Sequence, residues 1–400
     1  MKGMHSILRV FLFVYTHIFN IRKNISPEVK NLKAPYLLLS NHMGTWDPFV
    51  IGYFLDDPIH FVSSDAVFRD RFMRFLLTRM GVIPKKKNVR DTRVIRIMLA
   101  VIKSNNSVGL FPEASRSWTG RTMNIDPATA KLIKLLNVPV VTAKMKGMQL
   151  FNPRWGTRLR RSCVMIDYNI TLSQEDLKNL SETEIHAKIK GDLSHNEVEY
   201  QRQKRNKLYS SHRAEYISFV LFTCPQCKSI GQISNHGNNF SCTSCNSEWH
   251  IDDYGFFEGI THESKFDNII AWSDWQQLYY TTLIEKYLES NSEEALLSDK
   301  NMIVFKERNK GFRRVGKCNM QFFRDRIELH YSKGKIEILP LDKIQTLSPQ
   351  LRERIEIIYD DKAIRIVGKK KGVSGLKWEM ACNTYWKKSG QDYKLSTYFK

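Results

Sequence analysis

The sequence predicts an α/β fold, a mainly parallel sheet with flanking helices, followed by a small cysteine module and a β-rich carboxy-terminal domain. Three observations carry this. Between Pro35 and Gly147 short apolar runs alternate with helical patterns; Cys224, Cys227, Cys242 and Cys245 form two C-x-x-C pairs; and from about Met302 the chain turns to short alternating or β-branched runs. Strands separated by helices of about ten residues need crossover connections, which lay them parallel in one sheet. A length of 400 residues agrees with two or three domains.

Residues 6–20 are apolar but interrupted by Arg9 and His17, short of the roughly 18 to 20 residues a spanning helix needs. No small-residue cleavage site follows. The expectation for residues 1–30 is an amphipathic helix lying on an anionic membrane surface, with Phe11, Phe13, Tyr15 and Phe19 entering lipid and Lys2, Arg22 and Lys23 facing phosphate head groups. The alternative is a helix packed on its own domain. Residues 31–215 then hold strands at 36–39, 59–62, 108–111 and 138–145, and helices at 48–55, 67–80, 92–102 and 127–136. Residues 181–216 are strongly charged and read as a closing helix or connector without a core face. Residues 220–255 form the cysteine module and 256–300 a helical linker, with a helix over 273–288 opened by Ser273 and Asp274. In the last domain, 301–400, strands at 315–320, 326–331, 335–339, 354–359 and 363–367 are separated by turns such as Ser332-Lys333-Gly334 and Asp360-Asp361, and a helical pattern over 375–388 follows.

Composition narrows the partners. Hydrophobic residues make up 42% and charged residues 26%, which excludes a disordered chain and a polytopic membrane protein. Sixty-two Lys and Arg against 41 Asp and Glu leave a net charge of +21, so an anionic partner is expected: nucleic acid, anionic lipid or a phosphorylated substrate. Paired thiols of this kind survive in a reducing compartment, which places the expectation in the cytoplasm.

His42 and Asp47 leave a predicted strand and enter a predicted helix. An imidazole accepts a proton near neutral pH, and a carboxylate on its other nitrogen fixes the tautomer. Five residues apart on a continuous helix the two side chains diverge by about 140°, so a dyad requires a turn; Gly44 supplies one. The alternative is that Asp47 caps the helix, Pro48 stands at its first position and His42 is an ordinary loop residue. Downstream, Phe111-Pro112-Glu113-Ala114-Ser115-Arg116-Ser117 follows another strand, at the edge where open α/β sheets bind ligands. The Arg116 guanidinium suits bidentate grasp of a phosphate monoester, or else pairs with a surface carboxylate. Gly81 to Lys87 ends a further strand with three cations, which a solvated face also explains.

Together these segments resemble the glycerolipid acyltransferase family that includes lysophosphatidic acid acyltransferase, over roughly the first 165 residues. The family's His-x4-Asp block is matched by His42 and Asp47, its Gly-x5-basic block by Gly81 and Lys87, its Phe-Pro-Glu-Gly-x-Arg-Ser block by 111–117, and its Val-Pro-Val block by Val138-Pro139-Val140. Ala114 replaces the usual Gly, a change that matters if the position needs a positive φ. Lys87 replaces the usual Arg, leaving Lys85, Lys87 and Arg90 as candidates for the cation that holds substrate. The resemblance implies a peripheral enzyme at the cytoplasmic face of a membrane that moves a fatty acyl group from acyl-CoA or acyl carrier protein to the free hydroxyl of a lysophospholipid, 1-acylglycerol 3-phosphate first, in phospholipid biosynthesis. It implies His42 as base, Asp47 as its orienting partner, Glu113 as an anchor of the Arg116 loop or of the glycerol moiety in substrate binding, and Ser115, Arg116 and the Lys85–Arg90 cations in substrate binding. Glycerol 3-phosphate or a glycolipid is an alternative acceptor. The sequence has no Gly-x-Ser-x-Gly elbow and no cysteine beside the dyad, which agrees with direct transfer.

Four thiolates at the spacing of Cys224, Cys227, Cys242 and Cys245 complete a tetrahedral structural zinc site. Zinc ribbons also bind nucleic acid, and a nucleic-acid reader with a degenerate amino-terminal domain is the competing reading. The segment between the pairs carries a single cation, Lys228, without the basic and aromatic interleaving of such a reader. Zinc is therefore expected as a fold clip. Antiparallel strands closed by a helix bearing Trp378 resemble a pleckstrin-homology or related lipid-binding domain.

Overall fold

A computed structural model describes residues 2–69, 71–85, 92–308, 311–332, 334–350, 353–368 and 373–396. The chain divides into two compact units, Met1–Arg154 with Leu159–Tyr209, and Trp155–Arg158 with Ser210–Lys400.

The first unit runs α1 (Lys2–Ile18), β1 (Ile21–Ile25), α2 (Pro27–Asn31), β2 (Leu37–Ser40), α3 (Asp47–Tyr53), β3 (Ile59–Ser64), α4 (Arg71–Arg79), β4 (Ile83–Lys85), α5 (Thr92–Lys103), β5 (Ser107–Leu110), α6 (Ala128–Leu136), β6 (Val140–Lys146), α7 (Met148–Phe151), β7 (Val164–Leu172), α8 (Gln174–Asn179), α9 (Glu182–Leu193) and α10 (Glu197–Lys204). Its sheet has the order β1-β7-β6-β2-β5-β3-β4. The five strands from β6 to β4 are parallel; β7 returns antiparallel to β6, and β1 lies parallel to β7. Helices cover both faces, so strand residues are buried on either side. Tyr36 and Leu38 pack with α1 and α3, while Leu37 and Leu39 pack with α5, α6 and α9.

Several expectations are corrected. Residues 67–80 are not one helix: a 3-10 turn over Asp65–Arg69 precedes α4. Residues 181–216 do have a core face, because α9 buries Ile185, Ile189 and Leu193, one helical turn apart each. The charges that mask this stripe in the sequence cap the helix: Ser181 and Glu184 form a capping box. On α1, Leu12, Tyr15 and Thr16 face the core, whereas Val10, Phe13, Val14 and Ile18 are exposed, Phe13 by 54%. Tyr15 and Phe19 therefore point inward, with their rings 4.9 Å apart beside Phe151, and only the opposite face is available to lipid.

In the second unit, β8 (Ile233–His236), β9 (Asn239–Cys242), β10 (Glu248–Ile251) and β11 (Phe257–Gly259) form an antiparallel sheet, followed by α11 (Ile269–Glu289). Asn268 caps α11 by accepting from the Ala271 N–H at 2.9 Å, so Ser273 and Asp274 lie inside the helix rather than at its start. A seven-stranded antiparallel sheet then comprises β12 (Leu297–Arg308), β13 (Gly311–Phe322), β14 (Arg326–Tyr331), β15 (Ile336–Pro340), β16 (Ile344–Gln350), β17 (Arg354–Tyr359) and β18 (Lys362–Val367), in the order β15-β14-β13-β12-β18-β17-β16. The last helix, α12 (Leu376–Lys388), buries Trp378 and Trp386, whose indole N–H groups donate to Asp299 and the Leu341 carbonyl.

Candidate active site

The site is built where β2 and β5 end. Beyond β2, the Ser40 hydroxyl donates to the Ala143 carbonyl, and the Asn41 amide pairs with both backbone groups of Met145, at 2.9 and 2.8 Å. These side-chain bonds continue the β2–β6 ladder by one residue and fix where the chain turns. The turn brings Asp47, the first residue of α3, back to His42. One oxygen of the buried Asp47, Oδ2, accepts from His42 Nδ1 at 2.9 Å and from the N–H groups of Met43 and Gly44 at 2.8 Å each. Three donors thus converge on one oxygen and fix the carboxylate in place. They also leave Nδ1 as the protonated nitrogen and Nε2 as the acceptor of a proton. A Cβ at position 44 would stand 2.9 Å from Asp47 Oδ1 and 3.0 Å from the Asn152 amide, so the turn needs glycine.

The His42 side chain keeps 20% of its surface and stacks on Phe111, with ring centres 4.1 Å apart. Burial draws its pKa below the ordinary 6.5 although Asp47 pulls it up, and the positive charges of Arg116 and Arg154 add to the lowering.

The loop after β5 is tied to the same residue from behind. Both backbone groups of His42 are bonded to it: its N–H donates to Glu113 Oε1 at 2.8 Å, and its carbonyl accepts from the Ser117 N–H at 2.9 Å. The second Glu113 oxygen accepts from the Met123 N–H at 2.7 Å. Glu113 is fully buried; burial pushes its carboxyl up to about 8 against those two donors. The structure therefore places Glu113 behind the site as a brace between two loops, with no surface for a substrate. Ala114 has φ +56° and is exposed, so the position does take the conformation that favours the family's glycine.

Arg116 is half-buried, and its Nη1 donates to the Thr45 hydroxyl at 3.0 Å, which brings the guanidinium to the His42–Asp47 turn. The Ser115 hydroxyl accepts from Arg154 Nη1 at 3.3 Å. Lys85 is exposed at the end of the edge strand β4, three strands from β2, or about 14 Å at the usual strand spacing. Lys87, Arg90 and the Lys2 side chain lie outside the described residues. Sequence reasoning missed Thr45, Asn41, Asn152 and Arg154. Nothing local in the sequence ties Arg154 to Arg116, 38 residues earlier.

In the second unit, the thiol sulfurs of Cys224, Cys227, Cys242 and Cys245 all lie within 4.8 Å of one another. Cys224–Cys245 and Cys227–Cys242 are each 3.7 Å apart. A tetrahedron with Zn–S bonds of about 2.3 Å has S–S edges of about 3.8 Å, so the four residues fit zinc. The two knuckles repeat one geometry: Lys228 and Asn246, each the residue after the second cysteine, have φ +62° and +58°, and their N–H groups bond back to the Cys224 and Cys242 carbonyls.

The acyltransferase family model matches residues 18–146, the stretch that holds His42, Asp47, Glu113 and Arg116. The 1-acyl-sn-glycerol-3-phosphate acyltransferase of Borreliella burgdorferi is 24% identical over 102 residues, which are 25% of this chain and 41% of that protein; the chain thus spans less than half of that relative's length. The crystal structure of the 1-acyl-sn-glycerophosphate acyltransferase of Thermotoga maritima aligns with a TM-score of 0.42 at 15% identity, over 50% of this chain and 79% of that one. The chain carries an acyltransferase-family domain in its first unit.

Proposed function

We propose that the first unit transfers a fatty acyl group from a thioester, acyl-CoA or acyl carrier protein, to the free hydroxyl of a lysophospholipid, with 1-acylglycerol 3-phosphate as the preferred acceptor. The observation that carries this reading is the convergence of a carboxylate-oriented imidazole and a guanidinium on one turn, at His42, Asp47 and Arg116.

In this mechanism His42 Nε2 removes the proton of the acceptor hydroxyl as its oxygen attacks the thioester carbonyl, and Asp47 stabilises the imidazolium that forms. Collapse of the tetrahedral intermediate breaks the C–S bond, and the departing sulfur takes the proton back from His42, which returns the enzyme to its starting state. Arg116 holds the phosphate of the acceptor, which fixes the hydroxyl relative to His42. Zinc supplies no chemistry here. Held by the four cysteines, it would clip the ribbon of the second unit.

We place the protein on the cytoplasmic face of an anionic membrane. The exposed apolar side of α1 and the basic Arg22 and Lys23 beyond it support this reading; among the described residues no helix is long and apolar enough to cross a bilayer. The seven antiparallel strands and the terminal α12 support a pleckstrin-homology-like reading of the carboxy-terminal domain.

The test is an acceptor panel with radiolabelled palmitoyl-CoA and palmitoyl carrier protein: lysophosphatidate, glycerol 3-phosphate, lysophosphatidylcholine and monoacylglycerol. Preferred transfer to lysophosphatidate, lost selectively in Arg116→Ala, is the expected result. Equal use of monoacylglycerol would remove the phosphate-directed part of the reading.

A further inference from the structure

Arg154 lies beyond the segment that the acyltransferase family model matches, yet it returns to the loop that carries Arg116. Its Nη1 donates to the backbone carbonyl of Arg116 and to the Ser115 hydroxyl. Its guanidinium carbon lies 3.6 Å from the ring centre of Trp118, which is itself buried. The Trp118 carbonyl is bonded in turn by the Gln149 amide at 3.0 Å, so the platform under Arg154 is fixed to α7. A planar cation stacked on an indole loses little freedom when it also donates along its edge, a combination that lysine cannot reproduce.

The Arg116 loop needs such an anchor. It leaves β5 for a left-handed residue at Ala114, and the Arg116 side chain must still reach Thr45 across the site.

We propose that Arg154 is a positioning residue: by holding the Arg116 carbonyl against the Trp118 platform, it sets the Arg116 guanidinium where the acceptor's phosphomonoester is bound. The inference rests on the acyltransfer reading above and adds to it a residue that acts through Arg116 rather than on substrate. Its effect belongs to acceptor binding and is absent when Arg116 is absent.

A double-mutant cycle tests this. Acyl transfer from palmitoyl-CoA to lysophosphatidate is measured for wild type, Arg154→Ala, Arg116→Ala and the double variant, with thermal unfolding as a control. Loss of a charge-assisted hydrogen bond to the phosphate corresponds to about a tenfold change or more. The expected result for Arg154→Ala is an acceptor KM raised about tenfold, with kcat and the palmitoyl-CoA KM within twofold of wild type. In the Arg116→Ala background the same substitution adds less than twofold. Arg154→Lys, which keeps the charge and is the variant to read should the alanine protein not fold, should recover only part of the loss. Additive effects in the cycle, a kcat loss without a KM change, or full recovery by lysine would each overturn the inference. Titration calorimetry with glycerol 3-phosphate repeats the cycle without turnover. Binding that follows an additive cycle overturns the positioning role alone. A wild-type protein that neither binds this phosphomonoester nor acylates lysophosphatidate overturns the acyltransfer reading, and the inference with it.

Discussion

His42 and Asp47 are joined by a 2.9 Å contact between Nδ1 and Oδ2, and that same oxygen also receives the backbone N–H groups of Met43 and Gly44. The carboxylate thus shapes the turn and orients the base with one atom. The two tasks separate by substitution. In Asp47→Asn the amide oxygen can still accept from the three donors, but the negative charge is gone. The fold should persist, with a melting temperature close to wild type, while kcat falls about 10²- to 10³-fold, within the range ascribed to general base catalysis. Asp47→Ala leaves the buried N–H groups unsatisfied at about 1–3 kcal/mol each, and should lose stability in denaturant titration as well as activity.

The pH profile follows from burial. Because the His42 pKa is lowered below 6.5, the neutral imidazole that accepts a proton stays populated as the pH drops through that value. The acid limb of kcat/KM should therefore fall below pH 6.5. The same shift acts on stability: the unfolded chain binds this proton more readily than the folded one, so the His42 contribution is complete above the unfolded pKa and is lost as the pH falls through the folded value. An acid limb above pH 7 would show that another group controls turnover.

Ala114 supplies a stability test. Its φ of +56° costs an L-residue about 1–2 kcal/mol, of which about 0.4–1 kcal/mol is offset because alanine restricts the unfolded chain more than glycine does. Ala114→Gly should stabilise by about 0.5 kcal/mol and leave activity intact, whereas Ala114→Val should destabilise. Equal unfolding free energies for all three proteins, measured by denaturant titration, would remove strain from this position.

Zinc removal should act on the second unit first. Chelation, or Cys242→Ser, should expose Trp249 and Trp272, which pack with Phe240 beneath the ribbon, and shift tryptophan fluorescence to the red. On the proposed reading the four thiolates serve the ribbon's fold rather than proton transfer at His42. Initial rates measured immediately after chelation should therefore stay near those of the metal-loaded protein. A stoichiometry other than one zinc per chain, by atomic absorption, would contradict the site.

What the sequence made legible was set by burial on both faces and by local turns. Strands β2, β3, β5 and β6 read as apolar runs because helices cover them on either side, and the His42–Asp47 turn lies within six consecutive residues. Strand β1 was hidden because Arg22, Lys23 and Asn24 are exposed and only Ile21 is buried. The inward stripe of α9 was diluted by the charges that cap it. Residues 297–300 of β12, read as linker, carry a single apolar side chain, Leu297, and the partly buried Asp299 is held by Lys377 and Trp378 from far along the chain. In the site, the missed contacts join residues far apart in the chain: Asn41 to Met145, and Arg154 to the carbonyl of Arg116. No spacing rule reaches them. The positive φ at Ala114 was posed by the sequence as a condition and answered by the fold.

Acyl transfer from palmitoyl-CoA to lysophosphatidate by His42→Ala, compared with wild type, tests the account most directly. A kcat reduced about 10²- to 10⁴-fold, with the acceptor KM nearly unchanged and the protein still folded, is the predicted result. A folded His42→Ala protein that turns over at the wild-type rate would contradict it.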